Sequence, residues 1–284
     1  ISWSSVSPNR YLQIQRKKEP KITLPGVSAS ANLKPDSKST ATVFIILIFI
    51  MKDSLMPRNH TVRSYYQELD LLKSKISEMG KVAKEQLAKA IEALITKDSR
   101  LAVDVIYSDA QANDLQNSVD RLTVRMLAMR QPMGSDLRHI ISALKIAAEL
   151  ERIADYAANI AKHGMDLDHV SLEKPVAYII RMAELASHML KDVIDAYRKT
   201  DVRKAKAVWQ RDEDINEIYA DLLSQLRSYM KADSDNINTY TNLIFTARCC
   251  ERIGDHIKNI AEGVQFIAHG ESSIENTTER KQPA

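Results

Sequence analysis

Long stretches of the chain carry apolar side chains every three or four residues, separated by short polar breaks that contain Gly or Pro. This spacing is typical of amphipathic helices that bury one face. The first stretch predicts one long helix over about 61–96. Asp98 or Ser99 can cap a second helix, which must end near Gln131 because a proline and a glycine follow it.

The third predicted helix starts at a capping residue, Ser135, and reaches His163, where Gly164 provides a C-terminal stop. A polar connection that contains Pro175 comes next, and the cycle of three helices then begins again. The helices of the second cycle are predicted over about 176–198, 201–230 and 239–268.

Short connections between long helices make neighbouring helices antiparallel. We therefore predict an all-α fold of two tandem three-helix bundles, with six long antiparallel helices related by a pseudo-twofold repeat. The composition agrees, because the 284 residues include only seven Gly and eight Pro, and 6% are aromatic. The predicted domains are a first repeat at 58–168 and a second at 169–270, followed by a disordered tail at 271–284.

The first 57 residues differ in composition from the rest of the chain, with five of the eight prolines and many serines. We predict a disordered leader at 1–57 and hypothesise that it is not native, the natural start being Met51 or Met56. Its apolar run, 43–51, is too short to span a bilayer as a helix. A secretory signal fits poorly, because the segment before the run is too long and no A-x-A-like cleavage site follows.

Charge and cysteine content narrow the function class. The first 55 residues hold eight of the 40 Lys and Arg but three of the 37 Asp and Glu, so the remainder is slightly acidic. A nucleic-acid-binding protein would more often carry a basic stripe on its folded part, and we predict no nucleic-acid partner. Cys249 and Cys250 are adjacent and cannot form an ordinary bridge, which suits a reducing, cytoplasmic location.

The two predicted repeats have identical residues at matching positions, in addition to the same spacing of apolar residues. The sequence Glu-Arg-Ile-Ala-Asp at 151–155 is matched by Glu-Arg-Ile-Gly-Asp at 251–255, one hundred residues later. Asn159 follows the first segment at the same distance as Asn259 follows the second. Amphipathicity fixes polarity but not identity, so these matches indicate a duplicated unit.

The repeated acids can form a site in each half. Glu151 and Asp155 are four residues apart and project from one side of a helix. If the second helix packs beside the third, Asp109 and Asn113 can join them, and a divalent cation would neutralise such an oxygen cluster. The second half offers the same set in Asp212, Asn216, Glu251 and Asp255.

Other interpretations of these residues remain open. The acids and arginines could form an exposed, salt-bridged face, although two matching copies favour a site. Arg152 and Arg252 could hold an anion such as phosphate or pair with the acids, and we favour the acids. Asn159 and Asn259 could orient a ligand or serve packing. The histidines lack metal-ligand spacing, and the usual catalytic signatures are missing from the sequence.

Taken together, the sequence resembles the PhoU family. The resemblance rests on the two E-R-I-[AG]-D-x-x-x-N-I segments, the two D-x-x-x-N segments, and Arg130-Gln131-Pro132 followed by Asp136-Leu137-Arg138, and it extends over about 61–270. It implies two three-helix bundles, usually in a homodimer, at the cytoplasmic face of the phosphate ABC transporter. The protein would reach the membrane only through its partners, which are the transporter ATPase and a phosphate sensor histidine kinase.

The resemblance also implies a regulatory function without enzymatic activity. Such a protein restrains phosphate uptake and keeps the phosphate-starvation regulon off when phosphate is plentiful. It can hold divalent or multinuclear metal through the repeated motifs, here iron, zinc, manganese or magnesium. The residues implied as ligands are Asp109, Asn113, Glu151, Asp155, Asp212, Asn216, Glu251 and Asp255, supported by Arg152, Asn159, Arg252 and Asn259.

This sequence departs from the fullest metal pattern of the family. Asn113 and Asn216 stand where an aspartate would add charge, which should lower the affinity for a hard cation. The repeats also differ at Ala154 and Gly254. Two alternative functions remain at this point: a metal-dependent hydrolase that uses the paired carboxylates, and a structural helical adaptor whose acids form a solvated face.

Overall fold

The computed structural model describes residues 58–165, 167, 173–271 and 274. The predicted leader at 1–57, its apolar run, the start at Met51 or Met56 and nearly all of the predicted tail lie outside the described residues. The domain boundaries at 168 and 169 fall in an undescribed stretch and stay predictions.

Six long helices account for the described part of the chain, which confirms the predicted all-α fold. They are α1 (Arg58–Thr96), α2 (Ser99–Arg130), α3 (Ser135–Met165), α4 (Glu173–Lys199), α5 (Val202–Ala232) and α6 (Ile237–His269), with one 3₁₀ turn at Ser234–Asn236. Among the described helices, none combines the length and apolarity needed to cross a membrane.

Aspartate caps begin the middle helix of each repeat. The Asp98 carboxylate accepts hydrogen bonds from the backbone N–H groups of Arg100 at 2.9 Å and Leu101 at 3.2 Å. Asp201 accepts one from the Lys204 N–H at 3.1 Å. These bonds satisfy donors that the first turn of a helix leaves unpaired.

Both ends of α3 differ from the prediction. The helix already includes Ser135, so this residue is not its cap, and the chain turns at Gly134 with φ of +58°. The helix also continues through Gly164 to Met165. Gly164 lies beside Leu94 of α1, where a Cβ would make an ordinary contact of 3.4 Å with Leu94 Cδ1.

The helices form two bundles that share one core. Helices α1, α2 and α3 pack together, as do α4, α5 and α6, and the bundles meet where α3 packs on α6 and α1 on α4. The buried apolar residues of all six helices form a single cluster. Gly80 lies at the α1–α4 contact, where a Cβ would meet Ile194 Cγ1 at 2.6 Å.

Candidate carboxylate sites

The first site lies between α2 and α3. Asn113 Nδ2 donates to Asp109 Oδ2 at 3.2 Å and to the Asp109 carbonyl at 3.3 Å. On α3, Asn159 Nδ2 donates to Asp155 Oδ2 at 3.5 Å. The other carboxylate oxygen of Asp109, Oδ1, is buried without a hydrogen-bond partner. Asp109 on α2 lies close enough to Asp155 and Glu151 on α3 for their charges to act on one another.

Burial and mutual repulsion act on these acids. Burial raises the pKa of Asp109, and the charge of Asp155 raises it further, against the opposing effects of Lys162 and Asn113. Burial likewise raises the pKa of Glu151, with Arg152 opposing and Asp155 and Asp109 adding to the rise. The acids of α2 and α3 therefore repel one another across the helix contact.

The second site lies between α5 and α6 and is buried more deeply. Asp212 is only 2% exposed, and Asn216 Nδ2 lies 3.5 Å from its Oδ2. Burial raises the pKa of Asp212, with Lys258 opposing and Asp255 adding to the rise. A Cβ at Gly254 would lie 2.7 Å from Asp212 Oδ1, so the missing side chain makes room for this carboxylate.

The arginines of both sites lie against acids. Arg152 Nε is 3.9 Å from Glu151 Oε2 in the first site. In the second, Arg252 Nη1 donates to Asp255 Oδ2 at 3.3 Å, and its Nε lies 3.8 Å from Glu251 Oε2. These contacts agree with the favoured pairing of both arginines with carboxylates.

The asparagines that match between the two repeats differ in their partners. Asn159 stays within its own site, whereas Asn259 Nδ2 donates to Glu149 Oε2 on α3 at 3.0 Å. His256 Nδ1 lies 2.7 Å from the same oxygen. Burial would raise the pKa of Glu149, but the hydrogen bonds of His256 and Asn259 and nearby positive charge outweigh it and lower the pKa. Asn259 therefore serves the contact between the repeats.

Sequence reasoning missed several residues of this region. Lys258 Nζ lies 3.5 Å from Asp212 Oδ2, and Arg248 Nη1 donates to Glu251 Oε1 at 2.8 Å. Glu149 was missed as well. None of the three recurs in the other repeat, so a search for repeated identities passes over them. The spacing of three residues between Arg248 and Glu251 on α6 could have indicated that pair, whereas Lys258 contacts an acid on a different helix and has no such signal in the sequence.

The atoms of these sites suit a metal ion, but their arrangement does not yet form a coordination site. The predicted ligands supply only oxygen donors, and buried oxygens without hydrogen-bond partners include Asp109 Oδ1, Asp212 Oδ1 and Glu251 Oε2. Yet no group of three or more His, Cys, Asp or Glu side chains is arranged to hold an ion within the described ranges. An ion would therefore require the side chains to converge further.

The Arg130 and Arg138 motifs connect helix ends. Arg130 Nε and Nη2 donate to the two carboxylate oxygens of Glu68 at 3.0 and 3.1 Å, and Nη2 also donates to Ser64 Oγ at 2.7 Å. Arg138 Nε donates to the Ile267 carbonyl at 3.0 Å. The first arginine fastens α2 to α1, and the second fastens the start of α3 to the end of α6.

Two tandem three-helix bundles that repeat the same pattern of acids define a class of all-helical repeat proteins. The PhoU domain model matches residues 76–163 and 179–264, one domain in each bundle. The chain therefore belongs to the PhoU family. Members of this family are accessory and regulatory proteins of phosphate transport and are not enzymes, which sets the hydrolase alternative aside.

Similarity to individual proteins covers most of the chain. A phosphate-specific transport system accessory protein PhoU homolog of Caulobacter vibrioides is 42% identical over 213 residues, 75% of this chain and 93% of the relative. The crystal structure of PhoU from Pseudomonas aeruginosa superposes with a TM-score of 0.70 at 35% identity, over 72% of this chain and 99% of that one. The phosphate transport system regulatory protein PhoU from Streptococcus pneumoniae gives a TM-score of 0.70 at 30% identity, over 74% and 99%.

Proposed function

We propose that this protein restrains the phosphate ABC transporter and couples it to a phosphate sensor histidine kinase, keeping the phosphate-starvation response off when phosphate is plentiful. It acts in the cytoplasm and reaches the membrane through its partners, the transporter ATPase and the kinase. The observation that carries the proposal is the match of a PhoU domain to each bundle. The names of the relatives, which link them to phosphate transport, support it.

The mechanism that we infer is a shift in a partner's conformational equilibrium. A protein that binds one state of the transporter or kinase more tightly than another changes their populations without chemistry of its own. Long helices fastened at their ends by Arg130 and Arg138 offer a rigid surface for such binding. A homodimer would present two of these surfaces to its partners.

The proposal also includes a metal ion bound by the acids of the first repeat. Asp109, Asn113, Glu151 and Asp155 would hold an ion such as iron, zinc, manganese or magnesium in the first repeat. Within the described residues, no lysine or arginine forms an ion pair with Asp109 or Asp155, and the charge of Lys162 offsets the negative charge near Asp109 only in part, because the pKa of Asp109 is still raised. A bound cation would remove the repulsion between α2 and α3 and tighten that helix contact.

A phosphate-starvation reporter tests the regulatory role. Cells that lack the gene, grown in abundant phosphate, should show high alkaline phosphatase activity, and expression of the full chain should return the activity to a low level. Inorganic phosphate uptake should rise and fall in the same way if the transporter is restrained. Unchanged low reporter activity in the deletion strain would contradict the proposal.

A further inference from the structure

The deeper burial of Asp212 distinguishes the second site from the first. Gly254 provides the space for its carboxylate, whereas Ala154 occupies the equivalent position of the first repeat and Asp109 remains partly exposed. A carboxylate that is 2% exposed has lost nearly all contact with water. Its charge must be compensated within the protein, because an isolated buried charge is strongly unfavourable.

Lys258 supplies that compensation. Its Nζ lies 3.5 Å from Asp212 Oδ2 and 4.5 Å from the centre of the Trp209 ring, so a carboxylate and an aromatic face both hold the ammonium group. Trp209 is itself fixed by a hydrogen bond from Nε1 to Glu262 Oε1 at 3.1 Å. The lysine is therefore positioned by its surroundings.

A second acid of this site, Glu251, also has a cation of its own. Arg248 Nη1 donates to Glu251 Oε1 at 2.8 Å. The first repeat lacks these groups, because Ala148, Ala158 and Ile106 stand at the positions that correspond to Arg248, Lys258 and Trp209. The two sites thus share their acids but differ in their cations.

We propose that Lys258 is the built-in counter-ion of the second site, and that with Arg248 it takes the place of a metal ion there. The repeats would then have separate roles. The negative charge of the second site is neutralised by the chain's own cations, so this site keeps its structure whatever the metal supply. The first site lacks the matching cations. This inference is independent of whether the first site holds a metal.

A double-mutant cycle tests the counter-ion. In the full chain, Lys258→Met should lower the thermal midpoint by several degrees, because Asp212 must then either stay charged without a partner or take up a proton. In an Asp212→Asn background the same change should have a much smaller effect. Lys191→Met, at an exposed lysine on α4, is the matched control.

Equal effects of Lys258→Met in both backgrounds would overturn the proposal. Should the single variant fail to fold, recovery of folding in the Lys258→Met/Asp212→Asn double variant supports the proposal. Failure of the double variant to fold while Asp212→Asn alone folds would contradict it. Lys258→Arg, which keeps the charge, should retain most of the stability.

Metal titration tests the second half of the proposal. The number of Mn²⁺ ions bound per chain, measured by electron paramagnetic resonance, should be the same for the unaltered chain and for Asp212→Asn. A lower number for Asp212→Asn would show an ion at the second site and overturn the proposal. Asp109→Asn, measured in parallel, reports on the first site. An unchanged number of bound ions in that variant would contradict the proposed metal site of the first repeat without affecting the proposal for the second.

Discussion

At the scale of single residues, Gly254 gives the sharpest test of the site. An alanine in place of glycine normally stabilises a helix interior by about 1 kcal/mol. Here the added Cβ would lie 2.7 Å from Asp212 Oδ1 and 3.2 Å from Ile215 Cδ1, so the carboxylate must move. We expect Gly254→Ala to lower the free energy of unfolding by about 1–3 kcal/mol, measured by urea denaturation.

The control for this change is Gly164→Ala, where the new Cβ would make only an ordinary contact of 3.4 Å with Leu94. That variant should be as stable as the unaltered chain or more so. Combining Gly254→Ala with Asp212→Ala should remove the clash and recover part of the loss. A Gly254→Ala variant as stable as Gly164→Ala would show that the carboxylate has free room.

Glu68 gives a prediction that depends on pH. Its hydrogen bonds with Arg130 lower its pKa below the usual 4.5, outweighing burial. Folding therefore favours the ionised form, and the stability gained is present above pH 4.5 and lost as the pH falls through the lower pKa of the folded state. We expect Glu68→Gln to lower the free energy of unfolding by about 1–3 kcal/mol at neutral pH.

Urea denaturation across a pH series checks this prediction. The difference between Glu68→Gln and the unaltered chain should shrink as the pH falls below 4.5. Glu78→Gln, at an exposed glutamate on the same helix, should change the stability little at any pH. A difference for Glu68→Gln that is constant with pH would mean that its charge is not what Arg130 stabilises.

The sequence could predict the repeated acids of both sites but not the groups that surround them. Identity between two copies identifies Glu151, Asp155, Glu251 and Asp255, because helical amphipathicity alone would not keep the residue types the same. Lys258 belongs to one copy only. Its role depends on the depth at which Asp212 is buried, which is a property of packing and has no signature in the local sequence.

At the scale of helices, the apolar period was sufficient to predict all six elements to within a few residues. The ends were less certain, because a serine or glycine near a helix end can serve as a cap, lie inside the helix or fill a packing contact. The predicted cap at Ser135 and the predicted stop at Gly164 were both wrong for this reason. Of the two predicted candidates for the cap of α2, Asp98 is the cap and Ser99 is the first residue of the helix.

The two aspartate caps give the prediction at this scale. We expect Asp98→Ala and Asp201→Ala each to lower the free energy of unfolding by about 1 kcal/mol. The loss should be larger for Asp98, which accepts two backbone hydrogen bonds where Asp201 accepts one. Thermal denaturation followed by circular dichroism measures both, and Asp98→Asn, which keeps a capping oxygen, should lose little.

At the scale of the whole molecule, the sequence did not predict how the bundles meet. An amphipathic pattern shows that a helix has an apolar face but not which helix covers it. In α3 the burial extends well beyond one stripe, with Ala143, Ala154 and Ala158 all buried. At the contact with α6, a Cβ on Gly263 would lie 3.3 Å from Ile146 Cγ1 of α3, and the Glu149 contacts with His256 and Asn259 span the same interface.

The shared core leads to a prediction for unfolding. Because the buried residues of all six helices form one cluster, the loss of either bundle would expose apolar surface on the other. We therefore expect the bundles to unfold in one cooperative transition, with equal calorimetric and van 't Hoff enthalpies. Separate domains joined only by the α3–α4 connection would instead give two transitions.

A destabilising substitution in the first bundle, combined with a fluorescent probe in the second, shows whether the two bundles unfold together. Leu72 is fully buried in α1, and Leu72→Ala should cost about 2–5 kcal/mol. Trp209 lies in the second bundle, so its fluorescence, read in a Trp3→Phe background, follows that bundle alone. If the core is shared, Leu72→Ala shifts the Trp209 transition and the circular dichroism transition together. A shift in circular dichroism that leaves the Trp209 transition in place would mean that each bundle folds independently, and the α3–α6 contact would then be one that the molecule can open when it binds a partner.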